Sequence, residues 1–257
     1  IVMGLAPFGD HNKLIPNSTL SYKEVFEDAL KVDKYNYYVN EKWFAFPKVR
    51  DKWVTDEFEN LFGPRRLYDG PITNHHKNIA HAIQKRIEAI CLLQLKEIKR
   101  NYPLENLCIS GGVGLNCSLN GKIEESNLFK NVYIPAPSGD NGISIGACFL
   151  MRNMFNKTVP QKIISFSLGS RFNDDEILKE IKKKKLSYEK PSNFYECVAN
   201  LINDKKIIGW FQGGAEFGPR ALGNRSILAA PFPESMRDHI NNRVKFREEF
   251  RPFAPAI

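Results

Sequence analysis

The chain has 257 residues, 42% of them hydrophobic and 26% charged, and a formal net charge of +8 at pH 7. That balance excludes a disordered or low-complexity chain, and the length suits one large or two small domains. No apolar run approaches the roughly 18 residues of a membrane span, and the opening IVMGLAPFGD lacks the charged n-region and long h-region of a secretory signal. A cytoplasmic protein without a membrane partner is therefore expected. Five cysteines (Cys91, Cys108, Cys117, Cys148, Cys197) are odd in number and widely spaced in apolar surroundings, which predicts buried reduced thiols rather than a disulfide framework or zinc knuckle. The positive balance admits nucleic acid, and phosphorylated small substrates explain it equally well.

Residues 3–9, MGLAPFG, carry glycine on both sides of a proline and read as a turn-rich loop of unusual path. Residues 21–32 form an amphipathic helical pattern opened by Ser21 with Glu24 three positions on, a capping box. The aromatic stretch at 35–46, YNYYVNEKWFAF, reads as strand, its rings as core. Phe62-Gly-Pro-Arg-Arg66 is a basic turn. Residues 74–100 carry the longest helical pattern, with Ile79, Ile83, Ile87, Ile90, Leu93 and Ile98 on one stripe. His75, His76 and His81 lack metal-ligand spacing and read as polar residues of the helix N-terminus.

A short strand at 106–109, a glycine turn at 110–116 (SGGVGLN) and a helix at 115–125 come next. That order aims backbone N–H groups and a positive dipole end at an anion, although any tight strand-to-helix turn also uses Gly-Gly. A second strand at 132–134, the loop PAPSGDNG at 135–142 and a helix at 143–154 follow. Asp140 lies between glycines at a strand end, where open α/β sheets place ligands and where a helix N-cap also stands. Around 156–161 the chain changes character, which predicts a domain boundary before a strand at 162–166. Helices at 174–185 and 193–203 follow, the first with the run Lys182 to Lys185 as its solvated end.

From 206 to 211 a short apolar strand runs into Gly213-Gly214, and then into Glu216, Phe217, Gly218, Pro219 and Arg220. Between Arg220 and Arg251 seven basic residues (Arg220, Arg225, Arg237, Arg243, Lys245, Arg247, Arg251) stand against four acids (Glu234, Asp238, Glu248, Glu249). A helical pattern at 238–246 carries Asn242 and Lys245. A solvated basic face needs neither the Gly-Pro-Arg turn nor the Arg251-Pro-Phe-Ala-Pro255 clamp, so the stretch reads as an anion site built on guanidinium forks.

The blocks MGLAPFG, SGGVGLNCSLNGKI, PSGDNGISIGA, EFGPRALGNRSILA and INNRVKFREEFRPFAP resemble the O-carbamoyltransferases that modify nodulation factors, aminoglycosides and cephalosporins. The resemblance implies an α/β fold in two parts. The later lobe of an actin/Hsp70-like (RNase H-like, Kae1-like) domain would occupy 1–158, and the start of a YrdC-like α/β domain 159–257. It also implies an enzyme that makes carbamoyl-adenylate from carbamoyl phosphate and ATP, and passes the carbamoyl group to a hydroxyl of a small molecule or glycan. By matching positions, Arg220, Lys245 and Arg251 would bind and activate carbamoyl phosphate, and Gly111, Gly112 and Asn116 would hold ATP or the adenylate. Asp140 would ligate a divalent metal, iron rather than manganese or zinc, together with histidines upstream of residue 1. The loop at 3–9 lies near the nucleotide cleft in the family, and Gly114 stands where the family often has alanine.

Both termini fall inside motifs, so the chain reads as an internal fragment lacking the front lobe of the first domain and the back of the second, and inactive alone in both half-reactions. Two rival readings are a tRNA threonylcarbamoyl-type modification enzyme and an inactive binding paralogue. Nucleic acid is disfavoured because no base-stacking aromatic pair interleaves the basic blocks. Self-association stays open.

Overall fold

The computed structural model describes residues 2–46, 48–67, 70–156 and 165–254. They fall into two compact units, residues 1–108 with 116–133 and residues 109–115 with 134–257. In the first unit, helix α1 (Val2–Leu5) runs into a 3-10 turn at Ala6–Phe8, so the MGLAPFG opening is helical rather than the irregular loop expected. Pro7 sits in the first turn of that 3-10 segment, where its missing N–H is not needed. A Cβ on Gly9 would fall 2.1 Å from the Lys77 carbonyl oxygen, so only glycine lets the chain lie this close to the helix at 77.

Helix α2 (Tyr22–Ala29) begins at the expected capping box: Ser21 Oγ accepts from the Glu24 N–H, and the Glu24 carboxylate accepts from the Ser21 N–H. It ends sooner than its amphipathic pattern suggests. Leu30–Asp33 becomes strand β1, paired antiparallel with β2 (Asn36–Val39) around Lys34 at φ 52°. The predicted strand at 35–46 is thus four residues long. Helix α3 (Asp56–Phe62), capped by Thr55 and stopped by Gly63 at φ 83°, was not expected, although Thr55 and the acids Asp56, Glu57 and Glu59 carry its N-terminal signature.

Helix α4 (Asn74–Asn101) organises this unit. Its Ala82, with Ile79 and Ile83 alongside, packs on a core of Ile15, Tyr22, Val25, Phe26, Ala29, Trp43 and Phe62. Farther along, the expected stripe fails: Leu93 is 49% exposed, while Gln84 and Glu88 are buried. The aromatic stretch divides as well. Trp43 enters the core, but Tyr35, Tyr37, Tyr38 and Phe46 are exposed; Tyr37 and Tyr38 take opposite faces of a two-stranded hairpin, which is too small to bury either. The histidines are tethers: His75 Nδ1 pairs with the Tyr22 hydroxyl at 2.6 Å and Nε2 with the Phe62 carbonyl at 2.7 Å, while His76 closes the cap on Thr73. Strands β3 (Asn106–Cys108) and β4 (Asn131–Tyr133) pair in parallel, with helix α5 (Cys117–Glu125) in the crossover between them.

In the second unit, the glycine turn forms a 3-10 segment at Gly112–Leu115 and the PAPSGDNG loop another at Asp140–Gly142. Helix α6 (Ile143–Asn156) follows, an apolar helix that exposes Ile143, Leu150, Met154 and Phe155. The domain boundary expected at 156–161 and most of the strand expected at 162–166 lie outside the described residues. Helix α7 (Asp174–Lys183) starts at an Asn173–Glu176 capping box and stops short of the predicted Lys185, which turns at φ 52°. Helix α8 (Phe194–Asn203) is capped by Asn193 and leads to β5 (Ile208–Phe211), antiparallel with β6 (Arg225–Leu228). Helix α9 (Ser235–Arg243) begins three residues before the predicted start, which leaves Lys245 beyond its end rather than on it.

The architecture is mixed α/β, with two-stranded sheets among the described residues. All five cysteines are free, yet Cys108, Cys117 and Cys148 are exposed, against the expected burial. Cys108 takes an outward position in the exposed–half-buried–exposed alternation of β3. Cys91 is the better buried kind, and burial pushes its thiol up from the ordinary range. Gly9→Ala is expected to destabilise the protein by about 1–3 kcal/mol, since the new methyl overlaps backbone that cannot yield as a side chain would. Thermal unfolding of the variant beside wild type checks this; an unchanged midpoint would show that the loop moves freely off the helix.

Candidate anion site

The Gly-Pro-Arg turn between β5 and β6 is built around one carboxylate. Glu216 Oε1 accepts from the backbone N–H groups of Leu222 (2.9 Å), Asn224 (2.7 Å) and Arg225 (3.1 Å). Burial by itself would raise this carboxyl, but those N–H groups outweigh it and hold the pKa at about 2. Gly218 at φ 135° lies against the backbone of the PAPSGDNG loop in the same unit, where a Cβ would come 3.2 Å from the Ala136 carbonyl.

Within this frame the arginines separate. Arg225 donates to the carbonyls of Gln212 (2.6 Å), Asn224 (3.2 Å), Gly213 (3.1 Å) and Ser170 (3.2 Å), and lies 3.6 Å over the Phe211 ring, so its fork is consumed by the fold. Arg220 is exposed and makes no hydrogen bond or ion pair with any described residue. Arg247 Nε donates to Asn241 Oδ1 at 2.8 Å, and its guanidinium lies 4.8 Å over Phe253. Arg251 Nε is 2.7 Å from Glu248 Oε2. Burial, then the charges of Arg251 and Arg220, pull the Arg247 pKa down against the opposing pull of Glu248. Arg220, Arg247 and Arg251 therefore share one electrostatic neighbourhood.

Behind them Asn241, with 0% exposure, donates through Nδ2 to the carbonyls of Glu249 and Arg251, both at 2.9 Å. Neither Asn241 nor Arg247 was singled out from the sequence. The available signal was spacing: Arg247 precedes Arg251 by one turn's worth of residues, and Asn241 adjoins the Asn242 that was named. Lys245 is exposed, precedes Phe246 at φ 48°, and no contact among the described residues ties its side chain to the arginines.

In the glycine turn, Gly111 at φ 103° donates its N–H to the Ser138 carbonyl at 2.6 Å. Gly112 has open space where a Cβ would stand, so its backbone can be approached closely. A Cβ on Gly114 would meet Ser138 Cβ and Oγ at 3.1 Å, which explains the tight fit of glycine here. Ser138 is 1% exposed, and its Oγ is buried without a hydrogen-bond partner. Asn116, in the first unit, caps α5: Oδ1 accepts from the Leu119 N–H at 3.1 Å. Its amide also exchanges two hydrogen bonds with Gln84, at 3.1 and 3.0 Å. Gln84 Nε2 and Ser118 Oγ in turn donate to Glu88 Oε1 at 2.8 and 2.6 Å. Burial would raise the Glu88 carboxyl, but these donors and the Lys85 charge hold it below the usual range. The polar pair Gln84 and Glu88, four apart inside an apolar stripe, was the missed signal.

Asp140 is exposed, stands first in its 3-10 turn and caps nothing, because the cap position is Gly139 and carries no side-chain bond. No group of three or more His, Cys, Asp or Glu among the described residues could hold a metal ion. Asp140 on its own does not fit a metal.

Residues 1–149 match the family model of the carbamoyltransferase N-terminus, and residues 199–257 that of the carbamoyltransferase C-terminus. The chain belongs to the carbamoyltransferase family. It is 31% identical to nodulation protein NolO of Bradyrhizobium diazoefficiens, over 99% of this chain and 44% of that protein. Nodulation protein NolNO of Sinorhizobium fredii is 32% identical over 100% of the chain and 36% of its own length. An uncharacterized protein of a Synechocystis strain is 34% identical over 100% of the chain and 42% of its own length. The chain thus spans about four tenths of the curated relatives it matches. No helix of the described residues is long and apolar enough to cross a membrane. The carbamoyltransferase C-terminal block contains Glu216, Arg220, Arg247 and Arg251.

Because the folded pKa of Glu216 is about 2 and the ordinary value is 4.5, its contribution to stability is complete above pH 4.5 and is lost as pH falls toward 2. Glu216→Gln should lower the melting temperature at pH 7 and flatten its decline between pH 4.5 and 2. A variant that keeps the wild-type slope would show that another carboxylate sets the acid limit.

Proposed function

We propose that the protein is an ATP-dependent O-carbamoyltransferase, with the carbamoyl-phosphate site at Arg220, Lys245 and Arg251, joined by Arg247. The observation that carries this reading is that Arg247 and Arg251 are oriented by Asn241 and Glu248 and Arg220 keeps its donors on a turn that Glu216 clamps, all inside the family's C-terminal block. Cations held by a rigid backbone favour a phosphate dianion. Water cleaves carbamoyl phosphate there to phosphate and carbamate, whose oxygen attacks the α-phosphorus of ATP. Pyrophosphate leaves, and carbamoyl-adenylate remains. Charge that builds on the departing phosphates is what the guanidinium groups stabilise.

The adenylate would rest on the glycine turn, with Gly111 shaping the turn through its bond to Ser138, Gly112 offering its open backbone, and Asn116 holding the start of α5. A hydroxyl of a sugar or secondary metabolite then attacks the carbamoyl carbon and AMP departs. The open backbone at Gly112 and the unpartnered Ser138 Oγ support a ligand at that turn. The parallel β3–α5–β4 crossover supports reading the first part as the later lobe of an actin/Hsp70-like domain, and the β5–β6 turn supports a YrdC-like second part. A divalent metal on Asp140, iron rather than manganese or zinc, would need further ligands from beyond the described residues.

Arg220→Ala in the full gene product is expected to lower pyrophosphate release from ATP and carbamoyl phosphate by about 10²–10³, with the fold intact. Arg225→Ala should instead lower the melting temperature, since it removes four carbonyl partners. Pyrophosphate release at the wild-type rate in the Arg220 variant would overturn the assignment.

A further inference from the structure

A second basic cavity lies in the first unit, beside the Gln84–Glu88 pair of α4, whereas the arginines above belong to the second unit. It has a volume of about 210 Å³ and is walled by His11, Lys23 and Glu27 on one side and Lys85 and Arg86 of α4 on the other. Three permanent cations face one carboxylate. Lys23 and Glu27 project from α2 one helical turn apart, and Lys85 and Arg86 are adjacent on α4. The small side chains of Ala82 and Ala89 leave the room between them.

Two of these groups have donors with nothing to donate to. Arg86 Nε is fixed on the Leu30 carbonyl at 2.6 Å, which orients the guanidinium, and its terminal nitrogens make no hydrogen bond with any described residue. His11 Nδ1 is buried without a hydrogen-bond partner, and its ring stands edge-on to His81 at 4.9 Å. Lys23 makes no ion pair with the described residues, whereas Lys85 is drawn to Glu88 at 3.3 Å. A buried polar atom without a partner is rare in a folded protein and points to a missing partner, an acceptor when His11 carries its proton on Nδ1.

We propose that this cavity is an oxyanion site that takes phosphate or a phosphate monoester. A tetrahedral oxyanion has enough oxygens to accept from Lys23, the Arg86 fork and His11 at once, while a carboxylate's two would leave donors unmet. The volume suits one phosphate group with a few waters, since a water's share of liquid is about 30 Å³. The side chains around His11 also favour an anion: burial, then His81, lower its pKa, Asp10 opposes them, and Lys23 and Lys85 lower it further. A bound dianion would supply the negative charge that these neighbours lack. The site is distinct from the arginine cluster assigned to carbamoyl phosphate.

The test is a titration of the whole chain with inorganic phosphate at constant ionic strength, read from the imidazole nitrogen resonances of His11, which His11→Gln identifies. The His11 signals are expected to move and saturate, and Lys23→Gln to weaken the midpoint about tenfold, the loss of one charge-assisted hydrogen bond. Lys23 is exposed, so its substitution leaves the core untouched; circular dichroism verifies this. Arg220→Ala should leave the His11 titration as in wild type, which separates this cavity from the arginine cluster. A parallel titration with methyl phosphate distinguishes the sources: tighter binding assigns a phosphorylated ligand, weaker binding free phosphate. His11 signals that stay still through about 50 mM phosphate, well above the millimolar range of weak sites, or a Lys23→Gln midpoint equal to wild type, would overturn the proposal.

Discussion

Three backbone N–H groups that meet on one carboxylate oxygen of Glu216 set the geometry from which the rest of the second unit's site follows. A segment with glycines at φ 135° and 102° has little conformational preference of its own. An ionised carboxylate only accepts, so it gathers the N–H groups of residues 222, 224 and 225 and closes the loop around itself. Such charge-assisted bonds are about twice as strong as neutral ones, and here they overcome the cost of partly burying the charge. With the loop closed, Arg225 starts β6 facing the carbonyls of the turn, and Arg220 is left on the outside.

Elsewhere the same logic uses neutral amides. Asn241, fully buried, ties the segment from 247 to 251 onto α9 through both ends of its side chain. In the first unit Asn116 and Gln84 exchange hydrogen bonds across two helices, and Glu88 closes the network with Ser118. Buried polar groups must find partners, so each network fixes one arrangement of the backbone behind it. An apolar side chain at any of these positions would pack without specifying where its neighbours stand.

Local signals were legible. The capping box read at Ser21 depends on residues three apart, and α2 starts where it says; Asn173, Asn193 and Asn116 carry the same kind of signal at α7, α8 and α5 but went unread. The ends of α4 and the strand–turn–helix around the glycine turn followed from periodicity. What failed depended on tertiary neighbours. Leu93 continues an apolar stripe but has no element against it, while Gln84 and Glu88 interrupt the stripe and are buried because α5 supplies their partners. Tyr37 and Tyr38 look like core until the hairpin turns out to be two strands, too few to bury either. Lys245 sat on a predicted helix that in fact stops at Arg243, and Arg247 was counted among the basic residues but given no role, because a sequence does not show which guanidinium is packed against a buried asparagine.

That last distinction carries the site. In the sequence Arg220, Arg225, Arg247 and Arg251 are four equal charges, and they differ in the structure only by how many of their donors are already taken. Arg225 has four carbonyl bonds and an aromatic face, and an incoming phosphate would have to dismantle the turn to use it. Arg251 leans on Glu248, and Arg247 on Asn241, so each is oriented while keeping donors free. Arg220 is unbound. Arg247 is held below the ordinary guanidinium range by burial and by the charges of the other two, an unfavourable arrangement that a dianion would relieve. In the proposed carbamoyl-phosphate site, affinity for phosphate would come from that relief. Because Arg220 is exposed and Arg247 and Arg251 are only half-buried, that affinity would weaken as added salt shortens the screening length toward a few ångströms.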